Sequence, residues 1–231
     1  MKPFNFQQFS VNQSSEVFRV GTDAVLLGAL CSVEYSNNIL EVGTGTGIIS
    51  LMIAQRNISA DILALDINEN AATLAKENFL NSPFQNRLEV LEADFKNFKT
   101  EQNFDLIVSN PPYFEENSSE KDILARQQTE LSFANLLENL SKLLSDKGIV
   151  SVIIPFEAGS IFIKIAEQNQ LFLKRKISIY GIENSKIKRL ILEFSLNKSD
   201  LEESDFTIEK SPRKYSDQYL ELTKDFHVFR K

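Results

Sequence analysis

Ile39-Leu40-Glu41-Val42-Gly43-Thr44-Gly45-Thr46-Gly47 reads as a buried strand running into a glycine-rich turn that opens a helix. Glycine takes backbone conformations closed to other residues and lets a ligand come close to the main chain. Nucleotide-binding folds of many kinds use such a loop, so its details have to narrow the reading. The spacing is G-x-G-x-G, not the G-x-G-x-x-G of dinucleotide binding. Glu41 stands just before the first glycine, where a pyrophosphate would be repelled and a sulfonium or ammonium would not. No GK[ST] follows, which excludes a P-loop.

Working outward, apolar β-favouring runs alternate with helical patterns, as in a parallel βαβ sheet. Strands are expected at Asn38–Val42, Asp61–Asp66, Arg87–Leu91, Phe104–Ser109 and Ile149–Ile154. Helices are expected at Gly47–Gln55, Glu69–Leu80, Leu131–Leu144 and Glu157–Asn169. Asp146-Lys147-Gly148 is a turn signal between the third helix and its strand. Two further strands, Leu171–Tyr180 and Ile187–Leu196, leave no room for a crossover helix, so they form an antiparallel pair at the sheet edge. The expectation is an α/β, Rossmann-like, mostly parallel seven-stranded sheet with one antiparallel edge strand. Residues 1–37 form an N-terminal extension with no strand of comparable quality, 38–196 the core sheet and 197–231 a C-terminal extension, all within one domain. Thr22-Asp23 reads as an N-cap for a helix over Ala24–Leu30 that could lid the pocket. Leu201–Glu209 reads as a loop, and a short helix is expected near Ser216–Thr223.

Asp66 ends the second strand, placed to accept both hydroxyls of a ribose, although a strand-ending aspartate can also simply cap the next turn. Asn110-Pro111-Pro112-Tyr113 follows the fourth strand, at the end where α/β sheets place their chemistry. Consecutive prolines also make a rigid turn. The chemical reading is more specific. An exocyclic amino or amide nitrogen is a poor nucleophile because its lone pair is delocalised. The Asn110 side-chain oxygen and the Pro111 carbonyl can accept its two hydrogens, which localises the lone pair for in-line attack on a methyl sulfonium. Tyr113 offers a flat face for a base. His227, the sole histidine, has no partners for a metal site or a triad and reads as a surface or packing residue.

The glycine turn with Glu41 and Asp66 resembles that of the class I S-adenosylmethionine methyltransferases. The resemblance implies S-adenosyl-L-methionine as cofactor, with Glu41 by its methionine part and Gly43, Gly45 and Gly47 lining it. It also implies that Asp66 holds its ribose, Asp94 meets its adenine amino group and Asn110 sits beside both cofactor and substrate. Asn-Pro-Pro-Tyr occurs in methyltransferases of adenine N6, guanine N2 and the release-factor glutamine amide, so it gives the nitrogen type alone. The flanks go further. Phe4-x-Phe6, Phe18-Arg19-Val20-Gly21-Thr22-Asp23, Ala125-Arg126 and Lys188-Arg189-Leu190 resemble those of the bacterial tRNA1(Val) adenine-37 N6-methyltransferases. Tyr215-Ser216-x-x-Tyr219-x-x-Leu222-Thr223 matches as well. That family implies tRNA as partner, with Arg19, Tyr113, Arg126, Lys188 and Arg189 as substrate contacts. The expected reaction is methylation of adenosine 37. Alternatives are the same chemistry on rRNA or on a protein glutamine amide, and a non-catalytic S-adenosylmethionine-binding module. The intact Asn110–Tyr113 motif argues against the last.

Composition sets the frame. Of 231 residues 42% are hydrophobic and 25% charged, ordinary for a globular domain. No apolar run reaches the ~18 residues needed to span a bilayer. One cysteine excludes a disulfide framework and a zinc cluster. A cytoplasmic monomer without metal or membrane contact is expected. The net charge of −7 is uneven: residues 1–170 hold 12 basic and 22 acidic residues, residues 171–231 hold 13 and 10. Lys174-Arg175-Lys176 through Arg189, together with Lys210–Lys214, is therefore the expected RNA-contacting region.

Overall fold

The computed structural model describes residues 1–17, 19–111 and 133–228. Strand β3 (Asn38–Val42) is the third strand from one edge of the main sheet, with β4 (Asp61–Asp66) and β5 (Leu88–Glu92) parallel on that side. On its other side lie β6 (Phe104–Ser109) and β7 (Leu144–Pro155), also parallel. The chain thus runs outward from β3 in one direction and then restarts in the other. The crevice between β3 and β6 is the topological switch point, where open α/β sheets bind ligands.

Helices cover both faces because each strand alternates its side chains. Ile39, Leu106, Val108 and Ile153 point into a core with α1 (Thr22–Leu30) and α2 (Ile48–Arg56), which Phe79 of α3 (Glu69–Leu80) completes. Leu40, Val42, Ile107 and Val152 point the other way, toward α4 (Phe133–Leu143) and α5 (Gly159–Gln168). The pattern in α4 is the one that makes a surface helix: Leu136, Leu137, Leu140 and Leu143 are buried along one stripe. α1 differs. Six consecutive residues, Ala24–Ala29, are buried, and a Cβ on Gly28 would stand 3.0 Å from the Met52 Cβ of α2. The helix expected to lid the pocket is therefore a core helix, because an all-apolar helix has no solvent face to offer.

β8 (Phe172–Ile182) and β9 (Ile187–Ser195) are the expected antiparallel pair, with the reversed β9 inserted between β7 and β8. All seven expected strands are present, and the sheet then continues. Residues expected as a loop form β10 (Glu202–Ser211), which pairs in parallel with β8, and β11 (Lys214–Tyr215) closes the nine-stranded sheet. The acidic run that concealed this strand, Glu202–Asp205, is exposed, and only Phe206 of its first five residues is buried. Such a strand lacks the alternation that marks one in sequence, and its neighbour β8 supplies the pairing. Asp146-Lys147-Gly148 turns the chain as a bulge within β7. The register advances from Phe104↔Leu144 to Leu106↔Ile149.

The extensions meet each other. β1 (Phe4–Asn5) and β2 (Ser10–Val11) form a minimal hairpin, and Gln7 N–H donates to the Phe226 carbonyl at 2.8 Å. α6 (Asp217–Thr223) is capped by Ser216, whose hydroxyl accepts from Tyr219 N–H at 3.0 Å. His227 stacks between Phe6 and Tyr219, with its Nε2 3.1 Å from the Tyr219 hydroxyl. It is a packing residue, and burial holds its pKa below the usual histidine value.

Candidate active site

The glycine turn is built by its neighbours. Gly43 and Thr44 N–H both donate to the Leu65 carbonyl of β4, at 2.9 and 3.0 Å. Gly45 N–H donates to the Asp66 carboxylate at 2.8 Å. Gly43, Gly45 and Gly47 all have positive φ, of 77°, 56° and 80°. They differ in what surrounds them. A Cβ on Gly43 or Gly45 would meet nothing within 4 Å, so this backbone borders open space a ligand can enter. A Cβ on Gly47 would stand 2.5 Å from Phe79 of α3, so packing alone requires a glycine there.

Glu41 is fully buried on β3, facing α2. Its Oε2 accepts from the Ser50 and Thr44 hydroxyls and from Ser50 N–H, while Oε1 has no hydrogen-bond partner among the described residues. Burial pushes the carboxyl up to about 7; the Ser50 and Thr44 hydrogen bonds oppose this, and the nearby Asp66 charge adds to it. Asp66 accepts one hydrogen bond on each oxygen, from Gly45 N–H and, at 2.9 Å, from Asn68 N–H. A carboxylate has about four acceptor positions, so both oxygens can accept once more. Asp94 holds the turn after β5, accepting from Lys96 N–H at 3.0 Å and the Asn97 amide at 2.9 Å. Its side chain is half-buried. A cationic, ribose-bearing ligand fits this donor set. Backbone faces open space at two glycines, a buried carboxylate oxygen lacks a partner and a ribose-height carboxylate has acceptor capacity to spare. Ile67, which follows Asp66, is 69% exposed, an apolar side chain at the rim that sequence periodicity did not single out.

Across the switch point, Val42 of β3 pairs with Ser109 of β6, and the Ser109 hydroxyl donates to the Val42 carbonyl at 2.9 Å. Asn110 and Pro111 therefore emerge beside Gly43, Asn110 half-buried and Pro111 buried. Pro112, Tyr113 and Arg126 lie outside the described residues.

A family model for the methyltransferase small domain matches residues 12–152, the stretch that carries both the glycine turn and Asn110-Pro111-Pro112-Tyr113. The tRNA1(Val) (adenine(37)-N6)-methyltransferase of Flavobacteriaceae bacterium strain 3519-10 is 56% identical over 99% of this chain and 100% of its own length. That of Bacteroides fragilis is 40% identical over 97% of each chain. The chain belongs to the tRNA1(Val) (adenine(37)-N6)-methyltransferase family. Solved structures agree on the fold alone. A predicted O-methyltransferase from Agrobacterium tumefaciens gives a TM-score of 0.68 at 18% identity, covering 88% of this chain and 96% of that one. A methyltransferase from Pyrococcus furiosus gives 0.61 at 18%, covering 82% and 90%.

The rest of this methyltransferase's expected substrate contacts divide between two edges of the sheet. β9 runs backward, so its first residues lie at the edge where β6 and β7 end; Arg189 pairs with Pro155. Lys188 is exposed there, and Arg189 Nε donates to Asp23 at 2.8 Å, joining β9 to the first turn of α1. Asp23 is thus engaged by an arginine and does not cap the helix. α1 starts at Thr22 with Gly21 as its N-cap and no side-chain cap bond. Arg19 is exposed just before it. Lys174, Arg175 and Lys176 belong to the first half of β8, at the opposite edge. Arg175 is tied to the buried Glu193 (3.4 Å) and to the Ser32 hydroxyl (3.1 Å), and Lys176 is paired with Glu203. The expected basic stretch from 174 to 189 is therefore not one surface: Arg189 pairs with Ile179, five residues or ~17 Å along β8 from Lys174, and Arg175 and Lys176 are taken up by internal acids.

Proposed function

We propose that this chain transfers a methyl group from S-adenosyl-L-methionine to the N6 amino group of adenosine 37 in tRNA1(Val). The observation that carries this reading is full-length likeness to relatives of that name, joined to an Asn-Pro opening directly beside the glycine turn. S-adenosyl-L-methionine supplies a methyl group made electrophilic by its sulfonium. The chain's residues do the rest. Gly43 and Gly45 leave room for the cofactor beside the main chain, Glu41 offers its unpartnered oxygen to a cationic group, and Asp66 accepts from ribose hydroxyls. Asp94 meets the adenine amino group, and Ile67 covers the flat face of that ring. Asn110 accepts one N6 hydrogen of the target on its side-chain oxygen and Pro111 the other on its carbonyl. The target nitrogen becomes more tetrahedral, with its lone pair aimed at the methyl carbon. Tyr113 stacks on the target base, and Arg19, Arg126, Lys188 and Arg189 contact the RNA. An anticodon-loop adenine is already single-stranded, so a compact enzyme can take it up at small unstacking cost.

The test is incubation with methyl-labelled cofactor and unmodified tRNA, followed by nucleoside analysis, beside an Asn110→Ala control. Label in N6-methyladenosine at position 37 is expected, with kcat in the control lower by ~10²–10³-fold, the usual effect of losing one preorganised polar contact to the reacting group. Cofactor binding without label in any tRNA would sink the proposal.

A further inference from the structure

The functional edge of the sheet is polarised. At its β4–β5 end, Asp66, Glu69, Glu92 and Asp94 stand against Lys96. At its β9–β10 end, segments 183–189 and 209–214 hold six basic and two acidic residues; Arg189 is paired with Asp23 and Lys210 with Asp217, which leaves the balance basic. A polyanion entering the switch-point crevice is repelled at one end of this edge and attracted at the other. Between the crevice and the basic end stands Phe156. It directly follows Pro155, which pairs with Arg189 of β9, and is 45% exposed although it is a large aromatic side chain. Lys188, which precedes Arg189 on β9, is exposed on the β8 side, where a Cβ on Gly181 would stand 3.7 Å from its Cγ. Val152 is level with Ser109, so Phe156 stands about three residues, ~10 Å, further out than Asn110 and one strand to the side. Beyond β8, Glu209 pairs with Ile182, and the β10–β11 hairpin projects past the same edge. It carries the exposed Arg213, Lys214 and Tyr215, the last 44% exposed.

We infer that the RNA strand leaves the catalytic crevice across β7 and β9 toward the β10–β11 hairpin. Phe156 stacks on a nucleotide next to the target adenosine, Lys188 contacts its phosphate, and Arg213, Lys214 and Tyr215 take the strand further along. From β6 to β10 is four strand spacings, ~19 Å, the length of a short single-stranded run of nucleotides. The β10–β11 hairpin, whose residues up to Glu209 read from sequence as a loop and whose Lys210–Lys214 read as an RNA contact, is on this reading the outer half of the substrate platform. The inference rests on an RNA substrate and extends that reading to the path of the strand.

The experiment measures Kd for tRNA over a salt series, and kcat and KM for methylation, in the full-length enzyme. Variants are Phe156→Ala, Phe156→Trp, Lys188→Ala, Lys214→Ala and Lys147→Ala, the last at the opposite edge. Loss of one base stack weakens tRNA binding ~5- to 150-fold, so Phe156→Ala raises KM by that order, more than it lowers kcat, and Phe156→Trp restores it. Lys188→Ala and Lys214→Ala each flatten the salt slope by ~0.7–1. Lys147→Ala changes neither. Wild-type KM and salt slope in the Phe156, Lys188 and Lys214 variants, with tRNA still methylated, would overturn the path and leave the activity standing. RNA bound through these residues but never methylated would sink the activity and leave the path. A wild-type protein that binds no RNA overturns both.

Discussion

Gly45 and Gly47 look equivalent in sequence and are not equivalent in the molecule. Both have positive φ, which costs a residue with a Cβ ~1 kcal/mol or more. At Gly45 the new Cβ would enter open space, so Gly45→Ala is expected to fold with a modest loss of stability and to weaken cofactor binding. At Gly47 it would press on the Phe79 ring, adding an overpacking cost of ~1–3 kcal/mol. Urea unfolding and cofactor titration of the two variants separate the roles; equal stability losses would contradict the distinction. Glu41 gives a prediction in pH. Its carboxyl is raised from 4.5 to about 7 by burial, so between those values the unfolded chain has lost a proton that the folded chain keeps. The unfolded state then binds fewer protons, and stability falls as pH rises through that window. Glu41→Gln cannot titrate. Its stability relative to wild type should climb between pH 4.5 and 7 by a total of order 3 kcal/mol, read from urea unfolding at stepped pH. A constant difference would mean that Glu41 ionises at an ordinary value.

At the scale of elements, the molecule's far edge depends on one buried charge network. Glu193 of β9 accepts from Ser32 N–H and hydroxyl, both at 2.8 Å, and faces Arg175 of β8 at 3.4 Å. Arg175 also donates to the Leu30 carbonyl, so the network clips the end of α1 to the antiparallel strand pair. Removing one partner strands the other charge. Arg175→Met should destabilise by ~3–5 kcal/mol, and adding Glu193→Gln should recover much of it, because a paired removal leaves no buried charge. Thermal or denaturant unfolding of the single and double variants checks this; a double variant no better than the single would refute it. Within the run Lys174-Arg175-Lys176, Arg175 is taken up by this network and Lys176 by Glu203. Residue types along a chain do not say which basic side chains are consumed by internal acids, and Glu193 is 18 residues away in sequence. β10 was missed for a related reason. Its pairing partner, not its own periodicity, makes it a strand, and Glu203 meets Lys176 only once β8 lies alongside.

Across the whole molecule, local signals and tertiary ones divide cleanly. The alternation of strand and helix, the glycine turn, the acids that end β4 and follow β5, and Asn110-Pro111 were all legible, because each is a short pattern whose physics is complete within a few residues. The N- and C-terminal flanks carried the family by resemblance alone. Other features needed the fold. That α1 is a core helix follows from Met52 lying against Gly28, and that His227 is a packing residue follows from the two chain ends meeting. The sequence by itself determined seven strands of the sheet, the glycine turn and the place of Asn110-Pro111 after β6. Only the tertiary structure decided which glycines border open space, which cations are taken up by internal acids and how charge is distributed along the switch-point edge. Those depend on contacts and charges brought together from distant parts of the chain, and a one-dimensional pattern carries no distances between them.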